Sequence, residues 1–153
     1  MLYKIYTDGG CSGNKRDAGC KGAWAFIILD CIDNVIANGA GKADNTTNNR
    51  MEMMAVIKGL TTLISFIGDP KINDCLIITD SRYVVSNYEE YVPEWKKNGW
   101  RKSGGGNVIN IDLWKEICSL SPEFKSCKLQ WVKGHSTNKF NQEADALVRS
   151  LLH

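Results

Sequence analysis

The chain has 153 residues, 43% apolar and 24% charged, proportions of a globular protein that argue against both disorder and membrane spanning. Nineteen basic against 17 acidic residues leave a net charge of +2, too little to name a partner, so only the distribution of charge can inform function. At this length one domain is expected, burying roughly two thirds of its unfolded surface in a single core. The six cysteines, Cys11, Cys20, Cys31, Cys75, Cys118 and Cys127, form no C-x-x-C pair, and several sit in apolar runs. That usage fits reduced, intracellular thiols. The first eight residues, MLYKIYTD, have no signal-peptide character, so a cytoplasmic location is expected.

LYKIYTD mixes aromatic and β-branched residues and is followed by Gly9-Gly10, which predicts a strand over 2–8 with Asp8 at its C-terminal end. GAWAFIILD and NVIANGAG follow, and Asp33-Asn34 between them predicts a hairpin. A helix is predicted from Thr47 to Phe66, stopped by Gly68-Asp69-Pro70. CLIITD, 75–80, is a nearly continuous apolar run of the kind found in a strand covered on both faces, and it too finishes on an aspartate, Asp80. SRYVVSNYEEYV reads as helix, PEWKKNGWRKSGGGN as a connection, IDLWKEICSL as an amphipathic helix, KLQWVKGH as the last strand and NQEADALVRSLL as a C-terminal helix. Strand, long helix, strand is a crossover unit. The fold class is therefore α/β, a mixed sheet whose first, fourth and fifth strands are parallel, with the hairpin antiparallel and helices on its flanks.

In such sheets ligands bind beyond the carboxyl ends of the parallel strands, where Asp8 and Asp80 are both expected. On its helix Glu52 lies at the margin of an apolar stripe of Met53, Val56, Ile57, Leu60, Leu63 and Ile64, able to look along the same rim. Asp145 shares a face with Asn141 and Val148 and can enter from the other side. Four acids on four elements outline a site for a hard cation. Blander readings exist for each: Asn49-x-x-Glu52 resembles a capping box, and an aspartate after a strand often serves as a turn or N-cap residue.

The blocks YTDGGCSGN (6–14), TTNNRMEMMA (46–55), ITDSRYV (78–84), WKKNGW (95–100), NIDLW (110–114), WVKGH (131–135) and NQEAD (141–145) closely resemble, in order and spacing, type 1 ribonuclease H, in particular the bacterial form with a basic protrusion. The resemblance runs from Tyr3 to Leu152. It implies a five-stranded sheet of order 3-2-1-4-5 with strand 2 antiparallel. It also implies a monomeric endonuclease that hydrolyses the RNA strand of an RNA/DNA hybrid with two Mg²⁺ ions, Mn²⁺ being a possible substitute. One ion would activate the attacking water and the other stabilise the leaving 3′ oxygen, giving 5′-phosphate and 3′-hydroxyl ends. Matched by position, Asp8 is the ligand that bridges both metals, Glu52 and Asp80 complete the core set, and Asp145 serves the more peripheral metal. His135 matches a loop histidine that shuttles a proton or aids product release.

For the substrate, the resemblance implies that Asn14, Asn48 and Asn49 reach the minor groove, and that Gly9, Gly10, Cys11 and Ser12 bring main-chain groups to the RNA. Thr47, Asn48 and Asn110 would help hold a DNA phosphate. Trp95, Lys96, Lys97, Trp100, Arg101 and Lys102 form the basic element that grips the DNA strand. Basic residues interleaved with aromatics suit a phosphate backbone and its sugars. Two positions depart from the family: Asn45 stands where an arginine is common in the phosphate pocket, and Gln142 where an acid is common near the last metal ligand. A silent hybrid-binding module on this fold would have lost a metal ligand, and a resolvase or integrase core would lack NNRME and WKKNGW.

Overall fold

The computed structural model describes residues 1–12, 20–134 and 137–152. Among them, strands β1 (Leu2–Ser12), β2 (Cys20–Leu29), β3 (Val35–Thr46), β4 (Asp74–Thr79) and β5 (Ser126–Trp131) form one sheet of order β3-β2-β1-β4-β5. β2 runs antiparallel to both β1 and β3, while β1, β4 and β5 are parallel. The helices are α1 (Asn48–Phe66), α2 (Arg82–Ser86), α3 (Val92–Lys97), α4 (Ile111–Leu120) and α5 (Lys139–Leu152). None in the described residues is long and apolar enough to cross a membrane.

Side-chain alternation along the strands divides the core into two layers. Ile5, Ile28 and Ile77 face one way and pack with Met53, Val56, Leu60 and Leu63 of α1 and Leu113, Trp114 and Ile117 of α4. Tyr6, Ile27 and Ile78 face the other way and meet α5 through Ala144, while Ala23 and Ala25 meet Val148. The sheet is thus buried on both faces, as the continuous apolar run of β4 requires.

Three of the boundaries that differ from the sequence reading bear on the site. The first strand does not stop at Gly9-Gly10 but runs on to Ser12, and Gly9 permits close approach rather than a turn. A Cβ on Gly9 would fall on the backbone of Met51, within 2.6 Å of its carbonyl oxygen, so α1 can pack this tightly on β1 only over a bare Cα. Gly9→Ala should therefore push the start of α1 off the strand, costing about 1–3 kcal/mol, read as a lowered midpoint in urea unfolding. Second, the helix expected over 81–92 is broken: a turn of π-helix, Asn87–Tyr91, separates α2 from α3. Pro93, lacking an N–H, sits in the first turn of α3, where that loss costs nothing. Residues Trp95, Lys96 and Lys97 thereby lie on a helix rather than in a connection. Third, the last strand ends at Trp131, and Lys133-Gly134 lie outside the ladder.

Candidate active site

The rim is assembled by a change of pairing. The parallel β1–β4 ladder ends at Thr7 opposite Thr79, whereas antiparallel pairing of β1 with β2 continues to Ser12 opposite Lys21. Asp8 and Asp80, the residues just after that last parallel pair, project at the gap so opened. Glu52 arrives from the second turn of α1. Carboxylate oxygens of Asp8, Glu52 and Asp80 lie within 4.8 Å of one another.

The helix cap frees Glu52 for this role. Thr47 is the N-cap of α1, its hydroxyl accepting from the Arg50 N–H at 3.2 Å, so the expected alternative of an Asn49–Glu52 capping box is not what forms. Glu52 Oε1 instead accepts from the Gly9 N–H at 2.5 Å, and Thr79 Oγ1 donates to Oε2 at 3.4 Å. Glu52 is 7% exposed and Asp8 6%, more buried than a position on the stripe margin suggested.

Burial pushes the Asp8 carboxyl up to about 7, helped by the charge of Asp80 and, less, of Asp145; the hydrogen bond with Glu52 and the Gly9 N–H oppose the rise. Burial also raises Glu52 well above the usual carboxylate range, with the charges of Asp8 and Asp80 adding to it. Among the described residues no lysine or arginine forms an ion pair with Asp8 or Glu52. Hard oxygen donors held together at this cost, with no side-chain cation pairing Asp8 or Glu52, are what a divalent cation would compensate. The acidic cluster could thus hold a metal.

Asp145 stands apart from the three. It lies on α5, half-exposed, and its Oδ2 pairs with Arg149 Nε one turn on at 3.0 Å, yet its charge still reaches Asp8. Gln142 is exposed on the same helix. His135 and Asn14 lie outside the described residues.

Next to the acids, the Cys11 N–H donates to Asn48 Oδ1 at 2.7 Å, so the end of β1 and the start of α1 form one surface with Gly10, Ser12 and Asn49. Asn45 is exposed and left-handed, at φ 52°. Asn110, also left-handed at φ 61°, is held on both sides: Oδ1 accepts from Arg50 Nη1 at 3.2 Å, and Nδ2 donates to the Tyr83 hydroxyl at 2.9 Å. Arg50 further makes a paired contact to Asp112, at 3.0 and 2.7 Å, which ties α1 to α4. The sequence reading missed Arg50, Tyr83 and Asp112 as positioning residues. The available signal was an arginine in the first turn of a helix, where the dipole disfavours a cation.

In the basic segment the indoles and the charges face different ways. Trp95 stacks on Tyr91, centroids 5.8 Å apart, and meets the core ring of Trp114 at 6.3 Å; Trp100 also packs against the core. Lys96, Lys97, Arg101 and Lys102 are exposed. Arg101 pairs with Asn107 as an isolated bridge that closes the triple-glycine loop. A cleft of about 320 Å³ opens between Asn87, Tyr91, Trp95, Lys102 and Ser103.

A mixed 3-2-1-4-5 sheet with carboxylates converging at the fork between its central strands defines a ribonuclease H-like fold with an acidic centre. The family model described as RNase H matches residues 2–152. The chain is 41% identical over 148 residues to the ribonuclease H of Wolbachia sp. subsp. Drosophila simulans strain wRi, covering 97% of this chain and 93% of that protein. It is 40% identical over 149 residues to that of Cyanothece sp. strain PCC 7425, covering 97% and 88%. Among solved structures, LC9-RNase H1, described as a type 1 RNase H with the type 2 active-site motif, superposes with a TM-score of 0.82 at 26% identity, covering 99% of this chain and 72% of that one. LC11-RNase H1, solved in complex with RNA/DNA hybrid, shares the fold at a TM-score of 0.72 and 22% identity, covering 97% and 94%. The chain belongs to the ribonuclease H family, and is an enzyme of that class.

Proposed function

We propose that residues 1–153 form a single ribonuclease H domain, a cytoplasmic monomer that cuts the RNA strand of RNA/DNA hybrids, leaving 5′-phosphate and 3′-hydroxyl ends. The observation that carries this reading is the carboxylate set Asp8, Glu52 and Asp80, the first two buried, with oxygens within 4.8 Å, in a member of this family. These three residues, with Asp145 at the periphery, would hold two Mg²⁺ ions, or Mn²⁺ in their place. The ions would supply an activated water for in-line attack and charge stabilisation at the leaving oxygen. The chain's own contribution is orientation: the Gly9 N–H and Thr79 hydroxyl fix the two oxygens of Glu52, and Asp8 is held by its pairing with Ala25 of β2, one residue past the last β1–β4 pair. His135, beyond Gly134, would move a proton or help product leave.

Hybrid recognition requires reading sugars and backbone, since the 2′-hydroxyl is what distinguishes the strands. Gly9, Gly10, Cys11, Ser12, Asn14, Asn48 and Asn49 offer main-chain and short amide groups to the RNA strand beside the acids. Thr47, Asn48 and Asn110 would hold a DNA phosphate, with Asn110 kept in place by Arg50 and Tyr83. The exposed cations Lys96, Lys97, Arg101 and Lys102 would meet the DNA backbone, with Trp95 and Trp100 anchoring their segment to the core. The decisive experiment compares cleavage of a labelled RNA/DNA hybrid with that of double-stranded RNA and double-stranded DNA, with and without Mg²⁺. Selective, Mg²⁺-dependent cleavage is expected; equal cutting of all three duplexes, or full activity in excess chelator, would refute the proposal.

Replacing Lys96, Lys97, Arg101 and Lys102 by glutamine together should weaken hybrid binding and flatten its dependence on salt. If all four meet phosphates, the slope of log affinity against log salt falls by roughly 3 to 4. A binding titration across salt concentrations measures this, and an unchanged slope would remove the segment from the interface.

A further inference from the structure

We propose that Trp131, with Arg82 seated on its ring, is a positioning residue that sets the aim of the Asp80 carboxylate. The inference rests on the reading of Asp80 as a metal ligand.

Asp80 occupies one of the sharpest transitions in the sheet. It is the single residue between the end of β4 at Thr79 and Ser81, the N-cap of α2. Its carboxylate points at Asp8 and Glu52 only if the peptide planes on either side keep their orientation. The β4–β5 ladder, which would fix them, ends at Thr79 opposite Trp131. One main-chain bond extends beyond it, from the Val132 N–H to the Thr79 carbonyl at 2.9 Å. The next carbonyl, that of Asp80, would need a further donor from a strand that has already left the sheet.

Trp131 supplies that donor from its side chain. Its indole Nε1–H donates to the Asp80 carbonyl oxygen at 3.1 Å, adding one rung to the ladder where the backbone cannot. On the same peptide, the Ser81 N–H donates to Thr79 Oγ1 at 3.1 Å, and the preceding peptide is held through the Thr79 carbonyl by Val132, so the peptides on both sides of the Asp80 side chain are tied. The indole is itself restrained. The Arg82 guanidinium carbon lies 4.0 Å from its ring centroid, a distance at which a cation is attracted to the ring face. Arg82 belongs to the same turn as Asp80. The turn therefore grips the ring that grips it, a closed arrangement that fixes the direction in which the Asp80 side chain leaves the backbone. Outer-sphere partners of this kind orient the groups that bind a metal, and their loss costs about 10- to 100-fold in affinity or activity.

Trp131→Phe keeps a ring under Arg82 and removes the N–H. The expected result is Mn²⁺ affinity about tenfold weaker by calorimetry and kcat about tenfold lower, with KM for the hybrid within about twofold. Trp114→Phe, from the buried core, serves as the comparison: it should lower the melting midpoint without moving Mn²⁺ affinity or kcat. If Trp131→Phe behaves like Trp114→Phe, the inference is overturned. Asp80→Asn separates the two levels of the argument. Should it retain both Mn²⁺ binding and activity, the reading of the site fails; should it lose both while Trp131→Phe matches the unaltered protein, only the positioning role fails. If Trp131→Phe does not fold, Arg82→Gln reports on the same arrangement through an Mn²⁺ affinity about threefold weaker, and unchanged affinity there overturns the inference.

Discussion

Asp80→Asn is expected to reduce Mg²⁺-dependent hybrid cleavage by more than the roughly 100-fold that marks the loss of an outer-sphere partner, while the metal-free protein melts at the same temperature or higher. The two outcomes have one cause. Asn keeps the size and one oxygen donor but removes a charge, and the charge of Asp80 is the second-largest influence on Asp8 after burial. With a cation absent that charge is a liability, since it repels two buried carboxyls. With a cation present it is a ligand. Activity on a labelled hybrid and a thermal melt in chelator measure the two sides, and a marked fall of the metal-free midpoint would mean that Asp80 stabilises the fold instead of straining the cluster.

A second large effect concerns pH. In the fold the Asp8 carboxyl is raised from its ordinary 3.8 to about 7, so between those values the folded chain retains a proton that the unfolded chain has released. Stability therefore falls as pH rises through this window and levels off above it. The upper bound from Asp8 is on the order of 4 kcal/mol, and the rise of Glu52 acts in the same direction. The metal-free protein should accordingly be more stable near about pH 5 than near about pH 8. A divalent cation competes with those protons, so its stabilising effect should be larger at the higher pH. Urea midpoints with and without Mg²⁺ at the two values test this. A flat metal-free profile would show that the three carboxyls are not mutually opposed.

How much of this was legible in the sequence depends on the range of the physics involved. The mixed sheet and the placing of Asp8 and Asp80 at strand ends follow from hydrophobic runs that each end on an acid, helical periodicity brought Glu52 to the same edge, and the order 3-2-1-4-5 came with the resemblance to ribonuclease H. These are regularities within one segment or between two. Gly9-Gly10 was misjudged as a stop because a glycine that permits close packing and one that permits a turn look alike until the partner, here the Met51 backbone, is known. The break in the second helical run depends on how the chain winds ahead of Pro93. The Arg50–Asp112 pair links residues 62 apart, and the Trp131 indole reaches the carbonyl of a residue 51 positions earlier. A local pattern can flag Arg50 as odd in a first turn, but none names the distant partner in either case. Trp95 and Trp100 were read with the lysines as one strip, yet an indole packed on the core and an ammonium in water can follow each other along the chain while doing separate work.

The point at which β1 loses β4 but keeps β2 has a consequence for how such a protein can change. Asp8 and the stretch 9–12 belong to one unbroken strand, so the residue proposed to hold metal and those proposed to read the RNA sugar are mechanically a single part. A shift of that strand would move chemistry and recognition together, leaving selection few ways to alter one and spare the other. Variation in substrate grip is cheapest at the far side of the rim, in the lysines around α3, which touch the acidic cluster neither through the strand nor through α1. On this view the protein divides into a stiff half that fixes what reaction occurs and an adjustable half that tunes how tightly, and at what ionic strength, a duplex is held.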